Sequence, residues 1–450
     1  MTMTTTTTRR RRHSRSLSRS RSRDAAPRRA LRAFALGAPV YVVAAAVPQG
    51  GLFRGRLYRD LGLYGDYAAA LLDGRVPYRD FFVEYPPGGF LVFTPPALLP
   101  DGWYPHAFKI LMALLGLATL LLVALVLAQL GASGRRLYAA VFALALAPLA
   151  LGPVSLNTYD AWPALLVVAA LAALLRERPV PALALLGVAF ASKLYAAALV
   201  PLFAAWLWRR RQNLLRPLGA FAAAALVVAG PFALLAWNGF AESVEAQAGR
   251  GLQVESLGAA VLLAAHRVDL YDATVVRGST EAVSRDLSGA LPDALAAATT
   301  LLQLAAVATV VVLFLRARPD AERLVAATAA TIAGFVVFSR FISPQYLVWA
   351  VPLVPLVAGG IGVGATALLG AALVAAQLWF FHYRDVFELG AIVWLVVLRD
   401  ALLVGLYGVL VLVLLRTKIP SSANTVRQEP LRRRRASGSA VVDGAERRSR

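Results

Sequence analysis

Residues 107–130 read AFKILMALLGLATLLLVALVLAQL, and residues 131–136 read GASGRR. The first stretch carries a single charge, Lys109, over 24 residues. A helix needs about 20 apolar residues to cross a bilayer core of about 30 Å, so this run is long enough. The pair Arg135-Arg136 that follows marks a side on which positive charge is retained. An apolar run closed by a basic link is the unit that decides the fold class: an all-α, polytopic transmembrane helical bundle.

The same unit recurs along the chain. Candidate spans are Ala33–Gly51, Ala107–Leu130, Leu137–Pro153, Ala161–Leu175, Val180–Ala191, Ala196–Trp208, Leu214–Trp237, Asp293–Leu315, Leu324–Phe338, Tyr346–Gly359, Ile361–Phe381 and Leu389–Leu415, about twelve in all. Arg135 and Arg136, Arg176 and Arg178, Arg209 to Arg211 with Arg216, and Arg316, Arg318 and Arg323 fall in alternate links. Placing both termini in the cytoplasm puts every one of these links there too. Phe90–Leu99 is apolar but short and proline-flanked, and counting it as a span would invert each later basic link. It is therefore expected to be an interfacial or re-entrant helix. Val180–Ala191 and Ala196–Trp208 are expected to form a thin helical pair meeting at Ser192-Lys193.

Composition supports a membrane bundle over a set of soluble domains. The chain has 450 residues, 59% of them apolar and only 16% charged, with a mean hydropathy of +0.64. Soluble domains are nearer half apolar and a quarter charged. The net charge of +21 would fit a nucleic-acid binder, but the tails supply most of it. Residues 1–32 hold eleven arginines against one acid, and residues 416–450 hold ten basic groups against three acids. Both are poor in apolar residues and are expected to be disordered cytoplasmic tails. Their expected partner is the anionic inner leaflet, with no nucleic acid expected despite the Arg-Ser run from Arg15 to Arg23. No cleavable signal peptide is evident. The Ala-Leu-Val-Arg bias fits a bacterial plasma membrane. The absence of cysteine excludes disulfides, thiolate metal sites and cysteine nucleophiles.

The membrane domain spans residues 33–415, with expected outer loops at 52–106 and 238–292. Ionisable groups next to lipid are costly and tend to mark a cavity or a site, so the outer links hold the functional candidates. Asp60 follows the first span closely and is placed to meet a lipid-linked substrate, or else caps the helix starting at Leu61. Asp80 and Glu84 flank aromatic residues before Pro86-Pro87, where they bind a ligand or fix the bend. Lys193 either snorkels to the interface or holds a phosphate. Arg250, Gln253 and Glu255 open a short apolar stretch. Pro344 starts a helix that places Gln345 and Tyr346 on the outer face, and Trp349 there is a site residue or an interface anchor.

These residues occur in a recognisable order. Asp60 and Tyr64 follow the first span. Gly74, Pro77, Tyr78 and Asp80 precede Glu84-Tyr85-Pro86-Pro87. Then come Lys193, Tyr195 and Pro201, then Gln253, Glu255 and Ser256, then Ser343-Pro344-Gln345-Tyr346 with Trp349. The set resembles glycosyltransferase family 87 of the glycosyltransferase C superfamily. The family's mycobacterial phosphatidylinositol-mannoside mannosyltransferases carry a histidine-containing stretch after the Ser-Pro, where this chain has Gln345-Tyr346.

The resemblance implies a glycosyltransferase C-like bundle with its active site outside the membrane. It implies a polyprenyl-phosphate sugar donor, usually mannose, and a glycolipid or glycan acceptor. It also implies Asp60 as general base. Transfer of that kind needs cations at the leaving phosphate, for which Lys193, Arg250 and Arg340 are the candidates. Tyr64, Asp80, Glu84, Tyr85, Gln253, Glu255, Gln345 and Tyr346 are the candidates for binding sugar and acceptor. No Asp-x-Asp motif stands in the outer links, so neither an obligatory metal nor a cofactor is expected. The competing reading is a transporter or flippase for a polyprenyl-linked substrate, against which no internal repeat is evident.

Overall fold

The computed structural model describes residues 6–50, 59–100, 102–278, 284–382 and 386–416, with side chains from residue 26 onward. Residues 1–5, the link at 51–58 and the C-terminal tail after Arg416 therefore lie outside the described residues, whereas the rest of the N-terminal tail, expected to be disordered, forms the beginning of a helix, Thr6–Ala46. The helices in chain order are α1 (Thr6–Ala46), α2 (Arg59–Leu72), α3 (Phe90–Ala97), α4 (Tyr104–Gln129), α5 (Gly134–Leu151), α6 (Val154–Asn157), α7 (Ala161–Leu175) and α8 (Pro179–Ser192). After them come α9 (Val200–Arg209), α10 (Leu215–Leu235), α11 (Trp237–Ala248), α12 (Leu257–Arg267), α13 (Ala290–Leu315), α14 (Ala321–Val337), α15 (Gly359–Phe381) and α16 (Val393–Arg416). The chain is an all-α polytopic membrane protein.

Among the described residues, seven helices are long and apolar enough to cross a membrane: Ala26–Gln49, which runs through the end of α1, and α4, α5, α10, α13, α15 and α16. These match seven of the twelve expected spans. Three more, α7, α8 and Leu194–Arg209, are shorter apolar helices. The eleventh is α14, a helix of 17 residues rich in Ala and Thr, buried from Arg323 to Gly334. Small side chains let neighbouring helices approach closely, which suits a central position.

The twelfth differs. Tyr346–Gly359 is not a helical span: it is built from the 3-10 turns Pro344–Trp349 and Val354–Leu356. Pro352 and Pro355 remove amide donors along this stretch and prevent a continuous α-helix. Leu347, Trp349, Leu353 and Val354 are all buried, so this irregular backbone is enclosed by protein. That is the condition under which such backbone is tolerated at membrane depth.

The sequence reading also lacked a small sheet. Leu252–Gln253, Thr274–Arg277 and Arg285–Ser288 form three antiparallel strands, β1, β2 and β3, in the order β1-β3-β2. Leu287 pairs with both Leu252 and Val275, so β3 is central. The strands are two to four residues long, too short for an alternating pattern to stand out.

The basic links gather at one end of the bundle. Arg136 donates to both oxygens of Glu322 at 2.6 and 2.7 Å and to the Leu356 carbonyl at 2.6 Å. Arg210 pairs with Glu177 at 2.6 Å, and Arg209 donates to the Ala317 carbonyl at 3.1 Å. Arg323 is buried and donates to the carbonyls of Leu414 and Leu313, satisfying the C-terminal ends of two helices. The alternation of arginines along the chain thus has a spatial counterpart.

Candidate functional site

At the other end, links from five parts of the chain meet. Asp60 lies in the first turn of α2 rather than ahead of it, and an acid there complements the helix dipole. Leu61, Tyr64, Tyr67 and Ala68 form the buried stripe of α2, at the spacing of one helix face. Tyr64 therefore lies one turn along from Asp60, and its hydroxyl donates to Asp60 Oδ2 at 3.5 Å. The Tyr85 hydroxyl donates to the same oxygen at 3.3 Å. Oδ1 receives no hydrogen bond among the described residues. Burial pushes the Asp60 carboxyl up to about 6, the nearby Lys193 charge opposes this, and Glu84 and Asp160 add to it.

Lys193 sits at the break between α8 and the 3-10 turn Leu194–Leu199, in extended backbone. It points inward: its Nζ donates to Asp160 Oδ1 at 2.8 Å, and the residue is buried. Asp160 is fully buried and also accepts from Trp349 Nε1 at 2.7 Å. Aromatic rings enclose the ammonium. It lies 4.4 Å from the Tyr159 ring centre and 5.6 to 5.7 Å from those of Tyr85, Tyr346 and Trp349. Ring faces attract a cation at such distances. Trp349 is stacked between Tyr195 at 3.9 Å and Tyr346 at 4.4 Å, which fixes the indole that serves Asp160.

The break at Lys193 is held from both sides. The Ser192 carbonyl accepts from the Tyr159 hydroxyl at 3.0 Å, and Ser192 Oγ accepts from Trp162 Nε1 at 3.0 Å. The Pro86-Pro87-Gly88 turn packs directly onto Ser192. A β-carbon on Gly88 would lie 2.3 Å from Ser192 Oγ, so only glycine allows this approach. The loop carrying Glu84 and Tyr85 is thereby seated against Lys193.

Glu84 is buried and forms an ion pair with Arg250, whose guanidinium lies 5.1 Å from the centre of the Phe341 ring. Gln247 Nε2 donates to the Glu84 carbonyl at 3.0 Å and Ser243 Oγ to that of Val83 at 2.7 Å, so α11 fixes this loop. Glu84 Oε2, Asp160 Oδ2 and Gln345 Oε1 are buried acceptors without a partner among the described residues. Buried acceptors of this kind are costly unless a ligand or water donates to them.

Asp60, Tyr64, Glu84, Tyr85, Lys193, Arg250, Gln345 and Tyr346 thus belong to one region. Four other candidates are placed apart from Asp60. Asp80 is at the surface, accepting from Val76 N–H at 2.7 Å and from Arg79, and these bonds hold its carboxyl down at about 2. It closes the tight turn in which Tyr78 takes a φ of 67°. Arg340 donates to the Ala248 carbonyl, and its own carbonyl accepts from Gln253 N–H at 3.0 Å. Glu255 joins Arg399 and Asp400 of α16. Burial pushes its carboxyl up to about 8, while Arg399 opposes and Asp400 reinforces the shift.

Sequence reasoning did not single out Asp160, Tyr159, Arg399 or Asp400 as site residues. The signal for Asp160 was a carboxylate abutting an apolar run; for Arg399 and Asp400 it was a charge pair inside a span. Trp349→Phe tests the Asp160 contact. Phenylalanine keeps the ring stack and deletes the N–H donor, so the expected cost is about 1.5 to 3 kcal/mol. A melting temperature in detergent equal to wild type would mean that Asp160 does not depend on this bond.

A carboxylate with a free oxygen, beside two cations and several unpartnered acceptors, suits transfer of a group from a phosphate leaving group to a hydroxyl nucleophile. No curated relative matches the chain. A family model described as glycosyltransferase family 87 matches residues 82–344, more than half of the chain; it takes in Glu84, Tyr85, Lys193 and Arg250 of the site, while Asp60, Tyr64, Gln345 and Tyr346 lie outside it. The chain belongs to glycosyltransferase family 87 and is a membrane glycosyltransferase.

Proposed function

We propose that this enzyme moves a hexose, most simply mannose, from a polyprenyl-phosphate donor to a glycolipid or glycan acceptor on the extracytoplasmic face, with inversion. The observation that carries the reading is the approach of Asp60 to Lys193, with Arg250 brought beside Glu84 from a distant loop. Asp60 takes the proton of the acceptor hydroxyl, whose oxygen attacks the anomeric carbon. The bond to phosphate breaks on the opposite face, its electron pair leaves with the polyprenyl phosphate, and one displacement inverts the centre. Lys193 and Arg250 stabilise the charge that gathers on the leaving phosphate. Glu84 and Gln345 offer acceptors to sugar hydroxyls. Family membership favours transfer over the transporter reading.

The test incubates membranes holding the chain with radiolabelled polyprenyl-phosphate mannose and extracted lipids. Label is expected in a new glycolipid or glycan, and none when a nucleotide sugar replaces the lipid donor in washed membranes. A base must be ionised to act, and the Asp60 carboxyl is raised to about 6. The rate is therefore expected to fall tenfold per pH unit below about pH 6. A rate flat from pH 5 to 7.5 would remove Asp60 from that role.

A further inference from the structure

The helix α16 carries Arg399 and Asp400 in its second turn, roughly 10 Å along its axis from the outer end. Both are buried, Arg399 completely. Charge at this depth is costly, and apolar residues of similar volume stabilise such a position as well or better. Stability alone does not explain the pair. The Arg399 guanidinium is fully engaged on two residues. Nε and Nη2 reach Asp400 Oδ1 at 2.9 Å, Nη1 reaches Glu255 Oε2 at 3.4 Å, and Nη2 also donates to the Glu255 main-chain carbonyl. The last contact fixes backbone.

That backbone leads to the site. Glu255 is followed by Ser256, which caps α12 by accepting from Ala259 N–H at 3.4 Å. Upstream, Val254 N–H donates to the Arg285 carbonyl and Gln253 N–H to the Arg340 carbonyl, both at 3.0 Å. Five residues before Glu255 stands Arg250, paired with Glu84. An extended segment of that length spans at most about 17 Å. The segment 250–256 is therefore tied down at one end by Arg399, in its middle by the sheet and Arg340, and at its other end it presents Arg250.

We propose that Arg399 is a positioning residue: by clamping Glu255 it holds the segment 250–256 so that Arg250 stays in place for the donor's leaving phosphate. Arg399 lies beyond the stretch matched by the family model. The proposal rests on the donor reading above for the role of Arg250, but the clamp itself is tested without donor.

The chain has no cysteine, so Glu84→Cys with Arg250→Cys gives a unique thiol pair. A short bifunctional thiol reagent then reports how steadily residue 250 faces residue 84 in the full-length chain in membranes. The variant to compare is Arg399→Met/Glu255→Gln/Asp400→Asn, which strands no buried charge. Crosslinking at least fivefold slower in that background is the expected result, and an unchanged rate overturns the proposal whatever the donor proves to be. In the native-site background the same triple change is expected to raise the donor KM about tenfold, with the acceptor KM within twofold of wild type. Equal increases in both, with a collapsed melting temperature, would mean a structural role only and overturn it. If the triple variant does not insert, Arg399→Lys decides the matter: it keeps the charge, loses the fork, and is expected to raise the donor KM about threefold. An unchanged donor KM there overturns the proposal. Wild-type membranes inactive with every polyprenyl-phosphate sugar would sink the donor reading alone, because the crosslinking comparison still stands.

Discussion

Asp60→Asn is expected to lower glycosyl transfer by about 10³-fold while leaving membrane insertion intact. The asparagine keeps the shape and an acceptor oxygen for the Tyr85 and Tyr64 hydroxyls, which donate to Oδ2 at 3.3 and 3.5 Å. What it removes is the ability to take a proton. General base catalysis contributes typically 10²- to 10⁴-fold, and nothing else at this position substitutes for it. Glu84 is held by Arg250 and Asp160 by Lys193 and Trp349. The change removes a buried charge, on a carboxyl raised mainly by its burial and further by Glu84 and Asp160, so the variant is expected to melt no lower than wild type. The measurement is transfer of radiolabel in membranes normalised to the amount of inserted protein. A variant within tenfold of wild type would show that the acceptor proton leaves by another route.

Lys193 has the second large effect, and it needs two substitutions to read. Lys193→Met alone leaves Asp160, fully buried, with only the indole of Trp349 as partner. Breaking a buried pair from one side costs about 3 to 5 kcal/mol, so loss of activity there would be confounded with loss of fold. Lys193→Met/Asp160→Asn removes both charges. It is expected to insert and melt near wild type, yet transfer about 10²- to 10³-fold more slowly, because the leaving phosphate loses a cation in an enclosed site. Steady-state kinetics should place the loss in kcat more than in donor KM, since the charge on phosphate grows as the bond breaks. A double variant within threefold of wild type would leave the phosphate role to Arg250 alone.

The two experiments also separate chemistry from scaffolding. Tyr195, Trp349 and Tyr346 form a stack that orients Asp160, and Asp160 in turn orients Lys193. The ammonium is held by one carboxylate oxygen and by ring faces, which leaves donors on Nζ available to an incoming phosphate. In this arrangement the second oxygen of Asp160, unpartnered and buried, becomes a place for a sugar hydroxyl.

What the sequence determined by itself was whatever is written locally. Apolar runs gave the helices, because burying or spanning with a helix needs a continuous stretch of the right length. Alternating arginines sorted the links into two sets, and the structure keeps those sets at opposite ends. Proline-flanked Phe90–Leu99 and the Ser192-Lys193 break were legible for the same reason, as was Asp60 at the start of an amphipathic helix. Tertiary structure decided the rest. Trp349 reaches Asp160 across 189 positions, and Glu255 meets Arg399 across 144. No periodicity encodes such a pairing; it follows from how helices pack and from the need of each buried polar group to find a partner. The same need turned Tyr346–Gly359 from an expected span into enclosed turns, where Pro352 and Pro355 lack the amide donors a continuous helix needs. It also brought Glu255, expected among the binding residues, into a buried cluster with Arg399 and Asp400 of α16. The carboxylate was visible in the sequence. The lysine's partner, and the clamp on the arginine segment, exist only once the chain is folded.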